Sequence, residues 1–92
     1  MNLNLKLSKQ AQKAKSNLDA KQFRQVITSI LGLMSNPTPH DSSVLRGASR
    51  GERKLNCGEY RVIYRLEDNV VEVLVIGPRN DGDVYDIWSR RK

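Results

Sequence analysis

Cysteine and histidine are almost absent from this 92-residue chain, which has one of each, Cys57 and His40. A lone cysteine cannot form an internal disulfide, whereas small secreted domains normally depend on several. With no second histidine and no cysteine pair, the sequence lacks both the ligand spacing of a zinc site and a Cys–His nucleophile. We therefore expect no metal, no cofactor and a reducing compartment, the cytoplasm.

Long apolar segments are also missing. The opening residues, MNLNLKLSKQ, lack the apolar core of about 7–15 residues that a signal peptide requires. No apolar run approaches the roughly 20 residues that span a bilayer. We expect one domain, residues 1–92, in the cytoplasm and without a membrane partner.

Acidic residues are outnumbered by basic ones. Sixteen Lys and Arg against ten Asp and Glu give a net charge of +6. A small body with this excess attracts polyanions through counterion release and electrostatic steering. Charge alone leaves nucleic acids, acidic proteins and membrane surfaces open as partners.

The first half of the chain has the pattern of a strand and two helices. Residues 2–7 alternate polar and apolar side chains, which is typical of a half-buried strand. Ser8 and Asp19 are suitable N-caps for two helices, and two prolines within residues 36–43 end the second one. The second helix has apolar positions at Phe23, Val26, Ile27, Ile30, Leu31 and Met34 and polar ones at Lys21, Arg24, Gln25 and Thr28.

The second half of the chain has the pattern of strands. Residues 53–56 are a candidate short strand, residues 60–66 are rich in β-branched and aromatic side chains, and Gly77-Pro78 ends a further run at 70–76. The run 70–76 is almost wholly apolar, as expected for a central strand covered on both faces. The order of elements predicts an α+β fold in which a helical hairpin packs on one face of a sheet.

Cations are concentrated in this strand half. Alternation places Arg61 and Arg65 on the sheet face opposite Tyr60 and Tyr64, which is the open face if the helices cover the tyrosines. Such a face is either a cradle for a phosphodiester backbone or a solvated surface. The cations between the proline loop and the end of the last strand are Arg46, Arg50, Arg53, Lys54, Arg61, Arg65 and Arg79.

The stretch from Val44 to Tyr85 contains an ordered series of short motifs. Leu-Arg-Gly is followed by a basic strand, Gly-x-Tyr-Arg-Val-Ile-Tyr, an apolar strand, Gly-x-Arg and a tyrosine. This order resembles the RelE/ParE superfamily of bacterial and archaeal toxins, and the resemblance extends over essentially the whole chain. It implies a RelE-like α+β fold: an N-terminal strand, a helical hairpin and then a twisted antiparallel sheet of three to four strands.

The resemblance also implies a function. RelE-like members cleave messenger RNA in the ribosomal A site, whereas ParE-like members poison DNA gyrase. The ribonuclease branch typically has three residues that match Arg61, Arg79 and Tyr85 here, which favours RNA cleavage. Ribonuclease members often have two lysines one residue apart before the Tyr-Arg motif; Lys54 matches the second, but Glu52 occupies the first position.

These matches lead to specific expectations about the site and its partners. We expect metal-independent attack of a ribose 2′-hydroxyl on its adjacent phosphate, with a cognate antitoxin bound as a hetero-oligomer and the small ribosomal subunit and messenger as targets. The alternatives are a ParE-like, non-enzymatic gyrase inhibitor and an inactive module that only pairs with an antitoxin. The expected catalytic residues are Arg61, Arg79, Tyr85 and Lys54. The expected RNA-binding residues are Arg46, Arg50, Arg53 and Arg65.

Overall fold

The computed structural model describes residues 3–45, 47 and 50–78. These residues form two helices and a five-stranded sheet with the strand order β1-β5-β4-β3-β2. The elements in chain order are β1 (Asn4–Leu7), α1 (Lys9–Ser16), α2 (Ala20–Gly32), β2 (Ser42–Val44), β3 (Arg53–Cys57), β4 (Tyr60–Glu67) and β5 (Val70–Pro78).

The predicted α+β plan is confirmed, but the sheet differs in two details. It is mixed, because β1 pairs with β5 in parallel while the other neighbouring strands are antiparallel. It also has a short edge strand, β2, at residues that were expected to belong to the proline loop. Both features depend on pairing between distant parts of the chain, which local sequence patterns do not report.

Side-chain caps start both helices at the predicted residues. The Ser8 hydroxyl accepts a hydrogen bond of 3.1 Å from the Ala11 N–H and donates one of 2.6 Å to the Leu74 carbonyl oxygen. Asp19 and Gln22 form a capping box, in which each side chain accepts from the other's backbone N–H. Ser8 therefore starts α1 and also ties it to β5.

The core lies between the helices and one face of the sheet. The apolar stripe of α2 is wider than its buried face, because Phe23 is 40% exposed and Leu31 is 53% exposed. The buried cluster consists of Ala11, Val26, Ile30, Leu33, Leu55, Cys57, Val62, Tyr64, Val71, Val73 and Ile76.

Tyr64 connects the sheet to the proline loop. Its side chain is fully buried, and its hydroxyl donates a hydrogen bond of 2.5 Å to the carbonyl oxygen of Pro37. The strand register between β4 and β5 shifts next to it, between Ile63 and Tyr64. Such a bulge strengthens the local twist of the sheet.

The last residues of β5 are held by a side chain after β1 has ended. The Ile76 N–H donates to Gln10 Oε1 at 3.1 Å, and Gln10 Nε2 donates to the Ile76 carbonyl oxygen at 3.3 Å. The amide of Gln10 thus takes the place of a strand residue beside β5. It secures the backbone just before Pro78, the last described residue ahead of Arg79.

The sheet face opposite the helices, the far face, is not uniformly open to solvent. Ile63 and Val75 are fully buried, although neither belongs to the cluster under the helices. In the part of the chain that the structure describes, no helix is long and apolar enough to cross a membrane. The far-face residues of β3, β4 and β5 include Lys54, Asn56, Arg61, Ile63, Arg65, Glu72 and Val75.

Candidate nucleic-acid interface

Arg61 and Lys54 lie together on the far face. Arg61 faces Asn56 on β3 and Gly77 on β5, and Lys54 faces Ile63, two residues further along β4. Diagonal neighbours of this kind are roughly 7–8 Å apart. Both side chains are half-buried, so they present two cations from fixed strand positions.

A neutral neighbour orients the Arg61 guanidinium. Arg61 Nε donates a hydrogen bond of 3.2 Å to Asn56 Oδ1. On the other side of Arg61, Gly77 has no side chain and leaves the backbone of β5 alongside it. Asn56 is a site residue that the sequence did not predict, because a single asparagine in a basic strand has no distinctive pattern.

Arg65 lies on the same face but in a different electrostatic environment. It forms ion pairs with Glu72 at 2.9 Å and with Glu67 at 3.3 Å. It is also four residues from Arg61 along β4, or roughly 13 Å at the usual strand rise. The structure therefore does not bring Arg65 together with Arg61 and Lys54.

Arg53 lies on the helix-facing side of the sheet. Its Cα partner on β4 is the core residue Tyr64, and its Nη2 donates a hydrogen bond of 3.0 Å to the Ser42 hydroxyl on β2. Its Nε is buried and has no hydrogen-bond partner among the described residues. Arg53 links β3 to the edge strand β2 instead of joining the far-face cations.

The loop between β2 and β3 is shaped by Glu52. This carboxylate is only 6% exposed, and its Oε1 accepts a hydrogen bond of 2.8 Å from the backbone N–H of Arg50. Gly47 and Gly51 have φ angles of +80° and +74°, which other residues rarely adopt. Glu52 thus holds the loop, and Arg50 is exposed on it.

Three predicted site residues lie outside the described residues. They are Arg46 in the β2–β3 loop and Arg79 and Tyr85 after β5. Their roles remain predictions from the sequence. Within the described ranges, no group of three or more His, Cys, Asp or Glu side chains is close enough to hold a metal ion.

A pocket of about 470 Å³ lies between α2 and the end of β3, beyond the point where β2 stops. Cys57 is at its base, where burial raises the pKa of the thiol to about 11, above its ordinary value, although a hydrogen bond with Ser29 acts in the opposite direction. A thiol with this pKa is protonated at neutral pH and is a poor nucleophile. The polar face predicted for α2 borders the pocket, which is lined by Lys21, Arg24, Gln25, Thr28, Ser29, Asp41, Asn56, Cys57 and Gly58.

Comparison with known proteins shows the family. Residues 5–82 match the family model described as the ParE toxin of the type II toxin–antitoxin system parDE. The chain belongs to the ParE toxin family. The family assignment confirms the resemblance to the RelE/ParE superfamily and identifies a toxin of a toxin–antitoxin system. No curated protein has a significant sequence match to the chain.

Solved structures similar to this ParE-family toxin include RelE toxins and their complexes. A chain of the archaeal RelE–RelB complex from Pyrococcus horikoshii is 29% identical, with a TM-score of 0.77, and the match covers 88% of this chain and 99% of that one. A free RelE toxin variant from E. coli is 24% identical, with a TM-score of 0.77 and coverage of 99% and 98%. A chain of a toxin–antitoxin complex from Mycobacterium tuberculosis is 23% identical, with a TM-score of 0.74 and coverage of 88% and 95%.

Proposed function

We propose that this ParE-family toxin is a metal-independent endoribonuclease that cleaves messenger RNA in the ribosomal A site and so inhibits translation. The observation that supports this proposal best is that Arg61 and Lys54 are diagonal neighbours on the far face, with Asn56 accepting a hydrogen bond from Arg61. Two cations at fixed strand positions suit a phosphodiester backbone, because charge-assisted hydrogen bonds to phosphate oxygens are strong.

The reaction is attack of a ribose 2′-oxygen on the adjacent phosphorus. The new P–O bond closes a 2′,3′-cyclic phosphate, the bond to the 5′-oxygen breaks, and the proton lost by the 2′-hydroxyl is replaced by one delivered to the leaving oxygen. Negative charge develops on the phosphorane oxygens after the 2′-oxygen attacks and before the bond to the 5′-oxygen breaks. Arg61 stabilises that charge, because a guanidinium stays protonated and binds two oxygens with one planar group.

The remaining roles follow from the family pattern. Arg79 shares the stabilisation of the phosphorane, Tyr85 takes the proton from the 2′-hydroxyl or positions that group, and Lys54 holds the phosphate. Arg46 and Arg50 extend the cationic surface along the β2–β3 loop. Arg53 and Arg65 contribute less, because Ser42 and two glutamates engage them.

The proposed dependence on the ribosome follows from the small number of acid–base groups at this site. It has no histidine and no metal-ligating cluster among the described residues, so acid–base chemistry rests on few groups. Orientation of a substrate can supply roughly 7–11 kcal/mol of the barrier reduction. A ribosome that splays and aligns the messenger provides this orientation, and we expect cleavage of free RNA to be slow.

A second candidate is a non-enzymatic inhibitor of DNA gyrase. It is favoured by the description of the matching family as ParE and by Glu52, a buried carboxylate at a position where ribonuclease members often have lysine. A gyrase inhibitor causes DNA damage and leaves messenger intact. The two candidates therefore differ in the nucleic acid that is damaged.

A cognate antitoxin is the proposed partner, in a hetero-oligomer in the cytoplasm. Similar solved structures from Mycobacterium tuberculosis and E. coli are described as a toxin bound to its antitoxin or to an antitoxin peptide. The helical layer also suits an acidic partner, because its cations are accompanied by few acids. On helix α1 these cations are Lys9, Lys13 and Lys15.

A cell-free translation reaction tests the proposal. Purified toxin is added with a defined messenger, and the 5′ ends of the RNA are mapped by primer extension, with and without ribosomes. We expect new ends within codons that occupy the A site, only when ribosomes are present. Intact messenger at a dose that stops growth of the source cells would contradict RNA cleavage and favour gyrase as the target.

A further inference from the structure

The pocket at the end of β3 is a second place where this chain concentrates polar chemistry. It has a volume of about 470 Å³, which is in the range of sites for small ligands. Lys21 and Arg24 border it from α2, and Asp41 borders it from the loop before β2. These three side chains are exposed, so their charges are accessible to a ligand from solution.

The pocket adjoins the far-face cations through Asn56. This residue lines the pocket, and its Oδ1 also accepts the hydrogen bond from Arg61. β2 pairs only with residues 53–55, and the next residue of β3, Asn56, donates its N–H to the Asp41 carbonyl oxygen at 3.4 Å. Asp41 and Asn56 are therefore neighbours at the rim of the pocket, and a chain-like ligand that crosses the far face at Arg61 meets the pocket beyond Asn56.

The lining chemistry fits a ribose and a phosphate. Two cations suit a phosphate group, and a carboxylate such as Asp41 accepts hydrogen bonds from ribose hydroxyls. Thr28 adds a hydroxyl at the same wall. None of the described lining residues is aromatic, so the pocket has no platform on which a base stacks.

The same lining is a poor match for an acidic peptide. Stable peptide contacts rest on buried apolar or aromatic anchors, and the described lining has no aliphatic or aromatic side chain. RNA is therefore the better occupant.

We infer that the pocket is a subsite for one ribose-phosphate unit of the RNA strand, with Lys21 and Arg24 on the phosphate and Asp41 on the 2′-hydroxyl. This inference rests on the proposed function, because it places the pocket on the path of the strand that Arg61 holds. The subsite recognises the ribose and the phosphate of the RNA strand, and it does not recognise the base. It favours RNA over DNA, since only RNA has the 2′-hydroxyl.

Binding of fluorescent oligonucleotides tests the subsite. The probes are a 12-nucleotide oligouridylate and the matching oligodeoxyuridylate, measured by anisotropy with the full chain across a salt series, and gels check that the probes stay intact. The double variant Lys21→Ala/Arg24→Ala should lower the slope of log affinity against log salt by about 0.7, because the inferred subsite holds one phosphate. Lys9→Ala/Lys13→Ala, on α1, removes the same charge away from the pocket and is the matched control.

Asp41→Ala separates the sugar contact from general charge. We expect it to lower affinity for the ribo-probe roughly tenfold, as for loss of a charged hydrogen bond, and to leave or raise affinity for the deoxy-probe. An unchanged ratio between the two probes would overturn the inference. So would a Lys21→Ala/Arg24→Ala variant that binds like its control, or one that loses a labelled hexaglutamate peptide but keeps RNA.

The cleavage reaction distinguishes failure of the subsite from failure of the proposed function. If the wild type cuts messenger but the pocket variants bind RNA like their control, the subsite alone is wrong. If the wild type binds RNA with the expected pocket dependence but never cuts, the endoribonuclease proposal is wrong and the subsite stands. Circular dichroism of each variant confirms that the fold is intact.

Discussion

Arg61 Nε donates a hydrogen bond of 3.2 Å to Oδ1 of Asn56, its partner on β3. Arg65 lies four residues further along β4 and instead forms an ion pair of 2.9 Å with the carboxylate of Glu72. A neutral acceptor orients a guanidinium and does not itself neutralise its charge, whereas a carboxylate does. The two arginines therefore have different partners on the adjacent strands, an amide for Arg61 and a carboxylate for Arg65.

Replacement of Asn56 by a carboxylate should give Arg61 the kind of partner that Arg65 has. Asn56→Asp places a carboxylate beside Arg61, and we expect messenger cleavage to fall at least tenfold because the new ion pair competes with the phosphate. Asn56→Ala removes the orienting bond but adds no charge, so its loss should be smaller. Cleavage in the cell-free reaction measures both, and equal activity of Asn56→Asp and wild type would rule out this account of Arg61.

The hydroxyl of Tyr64 should contribute measurably to stability. Tyr64→Phe leaves the Pro37 carbonyl oxygen without its donor at a fully buried side chain, and we expect the free energy of unfolding to fall by about 1–2 kcal/mol. Tyr60→Phe is the matched control, because the Tyr60 hydroxyl makes a longer bond of 3.3 Å to Gln22 in a less buried place. Urea unfolding compares them, and equal losses would mean that the Pro37 contact is unimportant.

Glu52 should be a structural residue of the β2–β3 loop. Glu52→Ala removes a buried charged acceptor from the Arg50 N–H, so we expect a loss of about 1.5–3 kcal/mol in the free energy of unfolding. Glu52→Gln keeps an acceptor oxygen and should lose less. Glu52→Lys recreates the lysine spacing of many ribonuclease members, yet it should lower stability and not raise cleavage. A stable and more active Glu52→Lys toxin would contradict this role.

Cys57 should make stability depend on pH in the alkaline range. Burial raises the pKa of its thiol from 9.0 to about 11, so the folded state holds the proton more tightly than the unfolded state. The protonated thiol contributes about 2–3 kcal/mol to the free energy of unfolding. This contribution is complete below pH 9 and disappears as the pH rises towards 11. Urea unfolding of wild type and Cys57→Ala at pH 8 and pH 10.5 measures it. The difference between the two proteins should shrink at pH 10.5, and a constant difference would contradict the shift.

Local patterns in the sequence were sufficient to predict the helices and the central strands. Ser8 and Asp19 were identified as caps because a side-chain oxygen before an apolar-periodic segment satisfies helix N–H groups, and both do so here. Alternation in β4 correctly placed Tyr60 and Tyr64 on the sheet face opposite Arg61 and Arg65, and Tyr64 belongs to the core. These features depend on residues within a few positions of each other.

Features that depend on distant residues were not predictable in this way. β2 forms because Ser42–Val44 pairs with β3, and β1 is parallel to β5 through residues 66 positions apart. The amphipathic stripe of α2 did not reveal that Phe23 and Leu31 are partly exposed. At the candidate site, the sequence indicated the cations but not their partners, so strand alternation alone did not distinguish the environment of Arg61 from that of Arg65.

The most direct test of the central claim is cleavage of messenger by Arg61→Ala in a translating extract, with Lys13→Ala as the control for loss of one exposed positive charge. Removal of one stabilising donor from a charged transition state costs about 100- to 1,000-fold in rate. We predict a loss of this size for Arg61→Ala, with near-normal cleavage by Lys13→Ala and normal circular dichroism for both. Equal cleavage by Arg61→Ala and wild type would contradict the assignment of the far-face arginine to catalysis.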